Sequence, residues 1–153
     1  IFDQGTAARA FPNGKFWCAY QPQVDKSSEP RVYIVPIFPD RVSTTQDVIP
    51  VTTGQANDYL NYLNAESPDG GTIFFVSSRD GFHCLWAQKL NKQSMHPEGA
   101  AFPVYHQHSS RQSTVYVITG YRRLAAARNK LVFPSAERTG NLWMAELPDS
   151  GGK

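Results

Sequence analysis

One short phrase recurs along this chain and constrains its fold more than any other feature. A tight polar turn leads to an apolar run, then a second turn, then an aliphatic-aromatic run. The clearest copy is Ser67-Pro68-Asp69-Gly70-Gly71, then Thr72 to Val76, then Ser78-Arg79-Asp80-Gly81, then Cys84 to Leu90. Another is Arg128 to Phe133, Glu137 to Gly140, then Asn141 to Leu147. An earlier, looser copy is Phe11-Pro12-Asn13-Gly14, then Lys15 to Tyr20, with Arg31 to Ile37 after a longer loop. A period of roughly 55 residues built from short strands implies repeated sheet units.

The turns have a physical basis. In Asn13-Gly14 and Asp69-Gly70 the glycine can take positive φ without steric cost, and the preceding Asn or Asp tolerates it, as a tight hairpin requires. After each turn the strand is nearly continuously apolar, as in Ile73 to Val76 and Leu131 to Phe133. A sheet with one wet face would alternate, so both faces are expected to be covered. Helix signals are nearly absent. The only helix-like stretch, Arg122 to Arg128, is too short to stand alone.

These observations predict an all-β chain of three four-stranded β-propeller blades, half of a six-bladed ring, with the last blade incomplete. Blade 1 is expected at about 7–53, with Asp47 to Val51 as its outer strand. Blade 2 is expected at about 59–108, with Tyr59 to Leu63 as an inner strand and Phe102 to Tyr105 as the outer one. Blade 3 is expected at about 114–147, and 148–153 is a polar tail. Pro50 and Pro103 suit edge strands, where no ladder donor is lost.

The chain has 153 residues, enough for one domain with a substantial core. Fifteen Lys+Arg against thirteen Asp+Glu give a net charge of +2, interspersed, which argues against nucleic acid as a partner. No apolar stretch is long enough to insert across a membrane as a helix. The first residue is Ile1 rather than Met, as expected of a processed or excised piece. Cys18 and Cys84 read as buried free thiols, with a disulfide left open.

Several phrases carry a resemblance. Ser67-Pro68-Asp69-Gly70, the stretch from Ser78 to Gln88 leading to Phe102-Pro103-Val104-Tyr105-His106, and the stretch from Arg138 to Leu147 are similar to TolB-type propeller repeats. The closest resemblance is to the C-terminal sensor-like propeller of bacterial receptor-type serine/threonine kinases. It implies a non-catalytic sensor or interaction module with a periplasmic or otherwise extracytoplasmic location. The same repeat occurs in the propellers of oligopeptidase-like enzymes, so the alternative is the propeller portion of a peptidase-like or glycan-active enzyme with catalytic residues elsewhere. The first turn departs from the pattern as Phe-Pro-Asn-Gly, and the third has lost its Pro and Gly. The repeat specifies architecture more than function.

Candidate chemistry is sparse. His106 and His108, two apart, would share a face on a strand, but nothing at a supporting spacing offers a third or fourth ligand. The expectation is therefore no metal, no cofactor and no catalytic residue. Asp69 and Asp80 read as turn residues bonding their own backbone. Arg111, Arg122 and Arg123, with Arg128 and Lys130, read as solvated charge. Tyr105, His106, His108, Arg111, Arg122 and Arg123 are the candidate contacts for a protein, peptide or glycan partner. The aromatic set Tyr59, Tyr62, Phe74, Phe75, Phe82, Trp86 and Trp143 reads as packing between blades. Three blades cannot close a ring, so a homodimer of two halves is expected.

Overall fold

Phe11-Pro12-Asn13-Gly14 and Ser67-Pro68-Asp69-Gly70 fold into the same turn. In each, the glycine N–H donates to the carbonyl of the turn's first residue, at 2.9 and 2.8 Å. That first residue's own N–H donates across the hairpin, from Phe11 to Phe16 O and from Ser67 to Thr72 O, both at 2.8 Å. Gly14 and Gly70 lie at φ +67° and +68°, a region an L side chain enters only at a cost of about 1–2 kcal/mol. Side chains complete each turn: Asn13 Oδ1 accepts from Lys15 N–H at 2.9 Å, and Asp69 Oδ1 accepts from Gly71 N–H at 3.1 Å. The repeated phrase is thus a repeat of backbone hydrogen bonding.

The structure is a computed structural model describing residues 7–21, 31–52, 65–109, 112–113, 124–137, 139–140 and 143–145. Strands β1 (Ala7–Ala10), β2 (Phe16–Gln21), β3 (Arg31–Pro36) and β4 (Ile49–Pro50) form one antiparallel sheet in that order. Strands β5 (Ala65–Glu66), β6 (Thr72–Ser77), β7 (Cys84–Leu90) and β8 (Pro97–Tyr105) form a second sheet of the same order. Pro50 and Pro103 both lie on edge strands, as ladder chemistry requires. The outer strand of the first sheet begins later than the sequence implies, because Thr45–Asp47 is a 3-10 turn. Asp47 draws the chain into it, accepting Thr44 N–H at 2.8 Å and both Arg41 guanidinium arms at 2.8 and 2.7 Å. The Arg41 guanidinium, aided by the Thr44 N–H, holds the Asp47 carboxyl well below the usual carboxylate range.

The two sheets share one core. Phe11, Cys18, Val32, Ile34 and Val51 from the first unit join Ile73, Phe75, Leu90 and Met95 from the second. The opposite face of the second sheet carries another cluster, in which Val76 and Leu85 meet Leu124, with Phe74, Ala126, Leu131 and Phe133 packed around them. Along β6, therefore, Ile73 and Phe75 face one core while Phe74 and Val76 face the other. This is why the strand is a continuous apolar run.

The third unit departs from the repeat. Strand β9 (Gln112–Ser113) pairs with β12 (Ala136–Glu137), while β10 (Ala125–Ala127) and β11 (Lys130–Val132) form a separate hairpin. The alanines of the helix-like stretch are thus strand. Trp143 to Ala145 lie in no strand, and Trp143 is 89% exposed, which overturns the expectation that it packs between sheets. Its position 57 residues after Trp86 is equivalent only in sequence. Phe82 is also outside the core, 40% exposed. The described residues form a stack of sheets and do not close into a ring. The expected inner strand from Tyr59 to Leu63 and the tail 148–153 lie outside the described residues.

Candidate functional site

The antiparallel pairing of β7 and β8 sets Leu85 opposite Tyr105. The start of β7 therefore lies beside the exit of β8, and the Ser78-Arg79-Asp80-Gly81 turn joining β6 to β7 opens at the same end. Gly81 N–H donates to Ser78 O at 2.8 Å and φ at Gly81 is +87°, so the turn is tight and projects Asp80 toward the segment after β8. In that segment Gln107 turns inward. Its N–H donates to Cys84 Sγ at 3.2 Å and its side-chain amide donates to Ser135 Oγ at 2.8 Å. Inserting Gln107 leaves His106 and His108 outward, on the same side.

Four donor atoms converge there. Asp80 Oδ2 lies 3.1 Å from His106 Nδ1 and 3.1 Å from His108 Nε2, and the two ring nitrogens are 3.1 Å apart. Cys84 Sγ joins them, all four ligand atoms lying within 4.8 Å of one another. The sequence expectation that the histidine pair lacks a supporting carboxylate or cysteine is thereby corrected. Asp80 and Cys84 arrive from the preceding hairpin through pairing, not through linear spacing.

The surroundings hold these groups in place. Asp80 Oδ1 accepts Phe82 N–H at 3.2 Å, which directs Oδ2 toward the imidazoles. The Phe82 ring stacks on His108, and the edge of Trp86 meets His106 at 6.3 Å between centroids. Partial burial of Asp80 opposes its ionisation, but hydrogen bonds from His108, Cys84, Phe82 N–H and His106 outweigh it and hold the carboxyl at about 2. Burial pushes the Cys84 thiol up, and the nearby Asp80 charge adds to the shift. Beside the cluster, the Arg79 guanidinium lies 4.7 Å over Trp86 and its Nε donates to Ser77 Oγ at 3.0 Å.

Of the candidate contact residues named from sequence, only His106 and His108 meet in this cluster, joined by Asp80, which was read as a turn residue, and Cys84, which was read as a buried thiol. Tyr105 points to the opposite face and contacts Phe133, with ring centroids 5.2 Å apart. Arg111, Arg122 and Arg123 lie outside the described residues. Arg128 and Lys130 sit at the β10–β11 turn, lining a cleft with Ser67, Asp69, Phe74 and Leu131. Asp69 holds its turn as expected but also pairs with Lys92 Nζ at 2.7 Å. Cys18 and Cys84 are both buried, and neither takes part in a disulfide among the described residues.

Sequence reasoning also missed Glu66, a buried acid at the rim of the shared core. Its Oε2 lies 3.9 Å from Arg9 Nε, and its Oε1 has no hydrogen-bond partner among the described residues. Burial raises its carboxyl above the ordinary value, against weaker lowering by Arg9 and Cys18. Among the described residues, no helix is long and apolar enough to cross a membrane. No family model, curated protein or solved structure matches this chain.

Proposed function

We propose that this chain is a non-catalytic interaction or sensor module built from propeller-type blades, which completes its stack by pairing with a second copy of itself. The observation that carries the reading is the pair of four-stranded meanders, alike in strand order and entry turn, stacked through one shared core. Units of this kind bury their apolar faces only against neighbours. On the far face of the first sheet Trp17 is 42% exposed although Val35, opposite it on the adjacent strand, is buried, and the exposed part of this face is where a further sheet would stack. Propellers close with four to eight blades, and two-fold dimers are the commonest closed assembly, so two chains of three units make a ring of six. The TolB-type resemblance supports the same arrangement and a protein, peptide or glycan as the external partner.

Light scattering on the purified chain tests this reading. The expected species is a dimer of about twice 17.1 kDa, shifted toward monomer by Trp17→Lys. A well-folded monomer at micromolar concentration overturns it.

A further inference from the structure

We propose that Asp80, Cys84, His106 and His108 form a four-coordinate site for a borderline-soft divalent metal ion, with Zn2+ the best fit. All four residues belong to one chain, so the site does not depend on how many blades the assembly contains.

The first support is spacing. Tetrahedral zinc with bonds of about 2.0 Å to nitrogen and oxygen sets those donors about 3.3 Å apart. Asp80 Oδ2, His106 Nδ1 and His108 Nε2 form a triangle with every edge at 3.1 Å. Three donors this close and equally spaced leave room for one ion and little else. The sulfur is the outlying donor. Within the 4.8 Å limit that bounds the cluster, it must approach to the roughly 3.6 Å that a zinc–thiolate bond near 2.3 Å requires.

The second support is the set of contacts behind the ligands. Metal-bound carboxylates and thiolates are held by hydrogen bonds on their far side. Phe82 N–H occupies the Asp80 oxygen that does not face the cluster, and Gln107 N–H donates to Cys84 Sγ. Phe82 and Trp86 fix the two imidazole rings. The histidine side chains are about half exposed, at 49% and 48%, so an ion has an open path inward.

The third is donor chemistry. Two imidazoles, one thiolate and one carboxylate suit Zn2+, whereas Mg2+ and Ca2+ take oxygen ligands. On binding, His106 carries its proton on Nε2 and His108 on Nδ1, and the thiol proton passes to solvent. With four protein ligands the site is closed, which assigns the ion a structural or sensing role that ties the β6–β7 turn to the segment leaving β8.

The test is metal titration of the full chain after chelator treatment and dialysis, using Zn2+ against a chromophoric chelator and Co2+ as the spectroscopic probe. The expected result is one ion per chain, visible absorption of tetrahedral Co2+, and a thiolate-to-metal band that Cys84→Ser abolishes. His106→Ala/His108→Ala is expected to weaken Zn2+ binding by at least about 100-fold, beyond the 10- to 100-fold typical of losing a supporting contact. Both histidines are exposed, so this variant keeps its fold, checked by circular dichroism, if Cys84→Ser does not. Failure of the folded chain to take up stoichiometric metal, or unchanged uptake by the double histidine variant, overturns the site. A thiolate band that persists in a folded Cys84→Ser variant removes Cys84 from it.

Discussion

The ring of Phe82 lies on the imidazole of His108, with centroids 4.6 Å apart and planes 28° from parallel. The same residue's N–H bonds Asp80. One residue of the β6–β7 turn therefore fixes two of the four converging groups, one through its ring and one through its backbone. Truncating the ring removes only the first of these.

Phe82→Ala is accordingly expected to weaken Zn2+ binding by about tenfold while leaving the thermal midpoint of the metal-free chain nearly unchanged, as for most surface substitutions. Competition titration and a thermal melt in chelator separate the two effects. An unchanged affinity would show that His108 needs no help from Phe82 to hold its orientation.

Phe75→Ala and Trp143→Ala are expected to behave oppositely. Phe75 is fully buried in the core shared by the two sheets, and its loss should cost about 3–5 kcal/mol. Trp143, at 89% exposure, should change stability by less than about 0.5 kcal/mol. Urea unfolding of both variants decides the point. A large loss at Trp143 would mean that it is covered in solution, as partner contact in a dimer would produce.

Glu66 makes stability depend on pH. Its folded carboxyl titrates above its unfolded value of 4.5 because burial disfavours the charge. The native state therefore keeps this proton where the unfolded chain has lost it, and stability falls as pH rises from the unfolded value through the raised folded one. Glu66→Gln removes this loss. The variant should match the parent in acid and exceed its thermal midpoint at neutral pH, the gap opening as pH rises. A variant less stable than the parent at neutral pH would show that the 3.9 Å contact with Arg9 outweighs the burial cost.

Much of the fold was legible in the residues. The Asn-Gly and Asp-Gly turns, the edge prolines and the double-sided apolar run at Ile73 to Val76 each carry a local cause that survives folding. The site was not legible, because its ligands meet through pairing. His106 follows Cys84 by 22 residues, and two shifts of register between β7 and β8, at Leu85/Trp86 and Ala87/Lys89, decide which residues end up side by side. Bulges of this kind leave no periodic trace in sequence. Trp143 misled for the converse reason: it matched Trp86 in spacing, but no strand carries it into a core.

The alternation of β6 between two cores has a consequence for how the strand finds its place. Where one face is wet, slipping a strand by one residue throws its apolar side chains into water, and the error corrects itself. Slipping Ile73-Phe74-Phe75-Val76 by one residue would exchange apolar for apolar on both sides. Hydrophobicity is thus nearly silent about the register of this strand. That information resides in the polar residues at its two ends, where Ser67, Asp69 and Gly70 clamp the entry and Ser78, Asp80 and Gly81 clamp the exit.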